Sequence, residues 1–231
     1  QHSYLIALLA GAVWAFILYR LCTRGKLGTL ASIDTRKTTL LLTLLCAAVN
    51  LAWVLAVRIE PFSDYETYWQ TACALASGGE IDAPWYIAMY PHILGCSTFL
   101  SAFLKIFGDH VMVAAVINVI LTCLSGLLIY SICLRLASPL TAALAYLLWI
   151  VCPSKMMLNP LVFSEPLYTC LILLFFYLIV LIEQQRGSLP RRLGVCLLWG
   201  LALGVLLRAV NIVRPISAIL IIALVLWLLF L

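Results

Sequence analysis

Two acidic side chains lie where polar sequence gives way to apolar sequence, and each could do proton chemistry. Asp64 opens the stretch 64–77, and a carboxylate beside apolar surface can take a proton from a hydroxyl group as a general base. The alternative is an acid that only stabilises a helix N-terminus. Glu165 precedes a proline and a long apolar run, where it is either a second functional acid or a helix cap.

Basic side chains further along the chain could bind an anion. Arg214 precedes a proline and Arg208 lies six residues before it. An arginine guanidinium can bind a phosphate group with two hydrogen bonds, although near a membrane edge it can also simply extend to lipid headgroups. Lys155 is a third candidate for the same phosphate site. His92, together with nearby Tyr90, could contact an anionic substrate, but an isolated interfacial histidine is more often structural.

Familiar soluble-enzyme motifs are missing from the sequence. It has no glycine-rich phosphate loop, no HExxH and no GxSxG, which disfavours soluble-type nucleotide, zinc and serine hydrolase chemistry. Most of the nine cysteines lie in apolar runs, without the spacing of a metal site or a disulfide framework. We therefore predict no metal ligands and no definite cofactor, and we leave a divalent cation open.

The composition places these residues in a membrane protein. Of 231 residues, 65% are hydrophobic and 10% are charged, and the mean hydropathy is +1.15. The apolar runs are continuous rather than alternating, so they predict membrane-spanning helices and not a barrel. The net charge of +5 is spread over short loops, which is typical of inner-loop Lys and Arg rather than of a nucleic-acid surface.

The apolar runs set the number of membrane spans. Two connections are distinctive: 20–38 is basic and is expected in the cytoplasm, whereas 58–89 carries five acids against one arginine and is expected outside. Segment 90–107 is ambiguous, because counts of Lys and Arg on the two sides are equal whether or not it spans. Its polar start, its Lys105 and its short link to the next run favour the outer interface. The prediction is then an outer segment at 58–110 and seven spans, at 4–19, 39–57, 111–134, 139–153, 166–182, 194–210 and 215–231.

The outer segment contains a predicted surface helix at 64–77. Ser63 could cap its N-terminus while Glu66 returns the hydrogen bond, as in a capping box, and a pair of glycines at 78–79 would end it. Tyr, Trp and Ala recur at helical spacing, which indicates an amphipathic helix lying on the membrane. Glu66 is either this capping partner or a further contact to substrate.

Several short motifs, in this order, resemble a known superfamily. They are Pro61-Phe62-Ser63-Asp64-Tyr65-Glu66-Thr67-Tyr68, Ala74-Leu75-Ala76-Ser77-Gly78-Gly79, Tyr90-Pro91 and Ile106-Phe107-Gly108, followed by Pro153, Ser164-Glu165 and Arg214-Pro215. Together they are similar to GT-C glycosyltransferases, which include protein O-mannosyltransferases and bacterial aminoarabinose transferases. The resemblance covers roughly 39–231, and it departs from the common Asp-Glu or Asp-x-Asp pattern at Asp64-Tyr65-Glu66.

The resemblance implies a fold and an activity. The fold would be all-α, a polytopic transmembrane helical bundle of GT-C type whose outer loop bears two juxtamembrane amphipathic helices, 64–77 and 90–107. Asp64 would be the essential acid of the outer loop, Glu165 a second acid, and Arg214 the residue that grips a lipid phosphate. The donor would be a polyprenyl-phosphate-linked sugar, the acceptor a lipid, glycan or protein, and the transfer would invert the anomeric centre.

We therefore predict a multi-pass membrane glycosyltransferase, formed by one domain over 1–231, surrounded by membrane lipids and without a nucleic-acid partner. The expected location is a bacterial plasma membrane rather than the endoplasmic reticulum, with an extracytoplasmic active site. The chain is expected to be part of a longer protein. Two alternatives remain: a transporter or flippase of lipid or solute with Arg208 and Glu165 along its path, and a non-catalytic membrane subunit.

Overall fold

The computed structural model describes residues 34–82, 84–185 and 193–229, and the regular structure of these ranges is helical. This confirms the predicted all-α helical membrane bundle. The predicted span 4–19 lies outside the described residues. We name the helices α1 (Thr35–Ala56), α2 (Asp64–Ser77), α3 (Pro84–Met89), α4 (His92–Phe107), α5 (Val111–Leu136), α6 (Pro139–Ile150), α7 (Pro153–Leu158), α8 (Glu165–Gln185), α9 (Leu193–Val213) and α10 (Ser217–Leu229).

Three of the described helices are long and apolar enough to cross a membrane, namely α1, α5 and α8. Four shorter apolar helices accompany them: α4, α6, and the apolar parts of α9 and α10. Each predicted span within the described ranges coincides with one of these helices, apart from shifts of a few residues at the ends. The count of seven spans stays a prediction.

Helix α5 lies at the centre of the bundle and runs antiparallel to α1. Near the start of α1, the backbone oxygen of Thr35 lies 3.5 Å from the hydroxyl of Tyr130, which is late in α5. At the other end, the last turn of α1 and the first turn of α5 line one cavity. We call this second end, which carries segments 57–66, 108–110 and 159–165, the acidic end, and we call the opposite end, with Arg36, Lys37 and Arg135, the basic end.

Helices α2 and α4 pack against each other and against the bundle. The buried face of α4 repeats at helical spacing, with Ile93, Cys96, Ser97, Leu100, Ser101 and Leu104. The Ser97 hydroxyl donates to the backbone oxygen of Tyr68 at 2.9 Å, which joins the two helices directly. The predicted helix at 64–77 is present, and it ends at Gly78, whose φ of 74° is the left-handed conformation that favours glycine.

The predicted capping box at the start of α2 is wrong. Ser63 precedes the helix, but its side chain makes no capping hydrogen bond, and its backbone has a positive φ of 52°. The amide of Glu66 bonds to the backbone oxygen of Ser63 instead, at 3.1 Å. The Glu66 carboxylate accepts from Gln70 Nε2 at 2.9 Å, one turn further along. The chain turns sharply before Asp64, and the capping hydrogen bonds predicted by the sequence motif do not form.

A buried amide network holds the segment between α7 and α8. The Asn159 amide donates to Asn50 of α1 at 2.6 Å, and the same side chain accepts from Thr122 of α5 at 2.8 Å. Asn118 donates to the backbone oxygens of Asn159 and Leu161, at 3.1 and 2.8 Å. Unpaired amides are costly in an apolar interior, so these bonds favour one conformation of the segment. That segment leads directly to the start of α8.

Gly95 allows the closest approach of α4 to α9. A Cβ atom at this position would lie 2.3 Å from the backbone oxygen of Ile212, which cannot move away as a flexible side chain could. The glycine therefore brings the first turn of α4 to the last turn of α9, two residues before Arg214.

We expect Gly95→Ala to destabilise the protein by about 1–3 kcal/mol, as overpacking typically does. It should also lower activity, because α4 and α9 must move apart. The measurement is thermal unfolding of the purified protein in detergent. Gly204→Ala is the matched control: it lies in α9 with open space around its Cβ, so it should be neutral or slightly stabilising. Equal effects of the two substitutions would contradict the close-packing argument.

Candidate active site

Arg214 and Glu165 form an ion pair at the acidic end of the bundle. The Nη2 group of Arg214 donates to Oε1 of Glu165, and Nε donates to the Ser164 hydroxyl at 3.2 Å. Arg214 lies just after α9, whereas Glu165 is the first residue of α8. Both side chains are about one-third exposed, at 33% and 29%. The pair thus fixes the guanidinium beside an accessible surface while leaving part of it open.

The second carboxylate oxygen of Glu165 has no partner. Oε2 is buried, and it is one of two buried side-chain polar atoms without a hydrogen bond among the described residues. Buried polar atoms are almost always satisfied, so an unsatisfied carboxylate oxygen indicates a place where a ligand group can donate. The nearest charge, Arg214, already balances the carboxylate.

Two tyrosines flank the ion pair. The guanidinium of Arg214 lies over the ring of Tyr168, 5.6 Å from its centroid, in a cation–π contact. The second tyrosine is Tyr68 of α2, which is buried. Burial raises the pKa of Tyr68, Ser164 opposes that shift, and weaker effects come from Glu165, which raises it, and Arg214, which lowers it. Helix α2 packs near the pair, because Tyr68 belongs to one buried cluster with Phe163 and Val213.

Asp64 lies exposed at the first turn of α2, with a tyrosine as its partner. The hydroxyl of Tyr86, on the short helix α3, donates to Asp64 Oδ1 at 3.2 Å. Desolvation, followed by this hydrogen bond and the negative charge of Asp64, raises the pKa of Tyr86, so the phenol stays protonated and remains a donor. The other carboxylate oxygen is left for an incoming group.

A row of aromatic rings connects Asp64 to the ion pair. The Tyr86 and Tyr90 ring centroids are 4.7 Å apart, and those of Tyr90 and His92 are 6.2 Å apart. His92 opens α4, whose Gly95 lies against Ile212, two residues before Arg214. Burial lowers the pKa of His92, and Arg214 lowers it further. The structure thereby brings Asp64, Tyr90, His92, Glu165 and Arg214 to the same end of the bundle.

We expect Arg214→Gln to raise the pKa of His92, because one of the two effects that lower it is removed. Burial remains, so the pKa should not rise fully to its ordinary value. Since the folded state lowers this pKa, the neutral imidazole is favoured, and the protein loses stability when falling pH protonates His92.

An NMR pH titration of histidine-labelled protein measures this shift. Arg208→Gln is the matched control and should leave His92 unchanged. An identical His92 titration in the Arg214→Gln variant would show that the two side chains are not neighbours in solution.

Three other predicted site residues have different surroundings. The ammonium of Lys155, on α7, lies 5.3 Å from the centroid of the Trp149 ring, and the residue lines a small cavity with Pro166 and Thr169. Arg208 is exposed on α9. At 1.5 Å and 100° per residue, it lies about 9 Å along the helix from Arg214 and on a different face. Glu66 is exposed and pairs with Gln70.

Two aromatic residues of the site were missed from the sequence. Tyr86 lies on α3, a helix of six residues, and Pro84 at its first position was the available signal. Tyr168 lies one turn after Glu165, a spacing that places the two on one helix face. Within the described ranges, no group of three or more His, Cys, Asp or Glu side chains is arranged to hold a metal ion.

The comparison with protein families decides the class of this protein. The family model of dolichyl-phosphate-mannose-protein mannosyltransferases matches residues 92–231, more than half of the chain. The chain belongs to this family. Searches of curated proteins and of solved structures gave no match.

Membership of the mannosyltransferase family confirms the resemblance to GT-C enzymes. The protein is an integral membrane glycosyltransferase of the GT-C kind, and its general type of partner is a lipid-linked sugar donor with an acceptor. The matched region contains His92, Glu165 and Arg214. Asp64 lies before it, so its role depends on the geometry of α2 and on the motifs of the outer segment.

Proposed function

We propose that this protein transfers a sugar from a polyprenyl-phosphate-linked donor to an acceptor hydroxyl, with inversion, at the acidic end of the bundle. The observation that carries the proposal is the anchored guanidinium of Arg214 at the same end as the exposed carboxylate of Asp64. A transferase of this kind needs a cation for the leaving phosphate and a base for the attacking hydroxyl.

The reaction would proceed in one displacement. Asp64 takes the proton of the acceptor hydroxyl, and the oxygen attacks the anomeric carbon from the face opposite the phosphate. The bond from that carbon to the phosphate oxygen breaks, and the lipid phosphate leaves with the electron pair. Arg214 stabilises the negative charge that grows on this oxygen in the transition state. Tyr86 orients the Asp64 carboxylate so that its second oxygen faces the acceptor.

Glu165 fits a positioning role better than direct proton transfer. Its Oε1 atom is occupied by Arg214, which holds the guanidinium in place before substrate arrives. Its free Oε2 atom could accept a hydrogen bond from a hydroxyl of the donor sugar. Such a preorganised arrangement spends little free energy on reorganisation during the reaction.

The chain topology supports an extracytoplasmic site. Because α1 and α5 are antiparallel, segment 58–110 begins and ends at the same end of the bundle. If α4 crossed the membrane once, the start of α5 would lie at the opposite end of the bundle from the end of α1. The observed topology therefore supports an interfacial position for α4. Arg36, Lys37 and Arg135 gather at the opposite end, and clusters of basic residues favour the cytoplasmic side.

The test uses the purified full-length protein in lipid nanodiscs, with a membrane extract supplying acceptors. A radiolabelled polyprenyl-phosphate mannose should yield labelled acceptor and free polyprenyl phosphate, whereas a nucleotide-linked mannose should yield neither. Other polyprenyl-phosphate sugars identify the preferred donor. Transfer from the nucleotide sugar would overturn the donor assignment. Movement of the lipid across vesicle membranes without any sugar transfer would favour the transporter alternative.

A further inference from the structure

A large cavity lies at the basic end, at the opposite end of the bundle from the proposed active site. It measures about 670 Å³ and lies among α1, α5 and α8. Its walls combine two arginines, several hydroxyl groups and apolar side chains: Thr35, Arg36, Thr39, Leu40, Thr43, Tyr130, Ser131, Leu134, Arg135 and Tyr177. Neither the proposed transfer reaction nor the family match assigns a role to this cavity.

Among the described residues, the lining of this cavity holds two arginines and no acidic residue. Arg135 donates to the neutral side chains of Gln184, at 2.8 Å, and Tyr177, at 3.4 Å. These contacts use two of its five N–H donors and provide no counter-charge. The acid closest in sequence to Arg36 is Asp34, which caps α1 and faces Lys37 at 3.8 Å. A ligand with negative charge would therefore be complementary to this cavity.

The apolar part of the lining indicates what kind of anion fits. Leu40 is 63% exposed on the outward side of α1, and Leu134 lies beside the arginine on α5. In a membrane-spanning bundle, an exposed leucine such as Leu40 faces hydrocarbon. A cationic, hydroxyl-rich cavity next to a hydrocarbon-facing surface matches a molecule with a phosphate headgroup and acyl chains, more closely than it matches a free ion.

We propose that this cavity binds the phosphate headgroup of an anionic phospholipid from the leaflet at the basic end. Arg36 and Arg135 contact the phosphate from two helices, and the hydroxyl of Ser131 lies in the same lining to donate a further hydrogen bond. The acyl chains run along Leu40. Such a lipid bridges α1 and α5 and stabilises the bundle at the end opposite the catalytic groups, independently of the sugar or acceptor.

The experiment measures thermal unfolding of the full chain in detergent, titrated with phosphatidylglycerol or with phosphatidylcholine. The wild type should gain a concentration-dependent rise in Tm from phosphatidylglycerol and a much smaller one from phosphatidylcholine. Arg36→Gln combined with Arg135→Gln should weaken the apparent phosphatidylglycerol affinity about tenfold or more, because two charge-assisted contacts are lost. Arg36→Lys with Arg135→Lys keeps the charge and should retain most of the preference.

The matched control removes two positive charges at other sites, by Arg58→Gln and Lys105→Gln. It should respond to phosphatidylglycerol like the wild type. Equal responses to the two lipids, or an equal loss in this control, would overturn the proposal. A full response to inorganic phosphate alone would show a simple anion site and would also overturn it. The same assay on the Asp64→Asn variant should give the wild-type lipid response. The lipid-binding proposal can therefore fail without affecting the proposed catalysis, and the reverse also holds.

Discussion

Replacing Asp64 with Asn should lower sugar transfer by about 10²–10⁴-fold, the contribution that a general base typically makes. The substitution keeps the size of the side chain and its acceptor oxygen for the Tyr86 hydroxyl. It removes the ability to take a proton from the acceptor. The loss should appear mainly in kcat, measured under saturating lipid donor, because the proposed phosphate contacts of Arg214 are untouched.

Glu66→Gln provides the matched control for this variant. Glu66 lies on the same turn of α2 and is also an exposed carboxylate, but its partner is Gln70 rather than an aromatic residue of the site. It should retain near-normal activity, and both variants should reach the membrane and unfold at similar temperatures. Near-normal turnover in Asp64→Asn would remove Asp64 from the mechanism. A comparable loss in Glu66→Gln would point to the general acidity of the outer segment instead.

Arg214→Gln should lower transfer by about 10²–10³-fold, comparable to losing one donor that stabilises a developing negative charge. Arg214 is the proposed cation for the leaving phosphate, and Glu165 and Ser164 hold its guanidinium in place. Arg214→Lys keeps the charge but loses the planar fork, so it should recover only part of the activity. Steady-state kinetics with varied lipid donor measure both effects.

Arg214→Gln leaves Glu165 without its counter-charge, so the variant could lose activity by unfolding rather than by a loss of catalysis. Breaking such a pair is more destabilising than removing both charges. The double variant Arg214→Gln, Glu165→Gln should therefore regain thermal stability while remaining inactive. Arg208→Gln is the control for charge on the same helix and should be close to wild type. Restored activity in the double variant would contradict a direct role for Arg214 on the phosphate.

Local sequence was sufficient for the helices themselves. Runs of apolar residues predict buried or lipid-facing helices because backbone polar groups cannot be left unpaired in hydrocarbon. Such runs predicted α1, α5, α6, α8, α9 and α10, and the apolar spacing of 64–77 predicted α2. Local signals failed where the turn chemistry was ambiguous: Ser63 matched a capping motif but adopts a positive φ. The short helices α3 and α7 had no prediction from the sequence.

The candidate site could be predicted as a set of residues but not as an arrangement. Asp64, Glu165 and Arg214 were selected by type and position, whereas their partners depended on distant parts of the chain. Glu165 and Arg214 are 49 residues apart, and Asp64 and Tyr86 are 22 residues apart. Arg208 and, more weakly, Lys155 were also candidates for the phosphate site from the sequence, and the structure shows the ion pair with Glu165 for Arg214.

The sequence by itself determined that the protein lies in a membrane, that it is helical, and which residue types are available for chemistry. These properties depend on composition and local periodicity. The tertiary structure decided which side chains meet. The antiparallel packing of α1 and α5 placed both ends of segment 58–110 together, and the contact at Gly95 brought α4 to Arg214. Such pairings depend on close packing between helices that are distant in the chain, which no local pattern encodes.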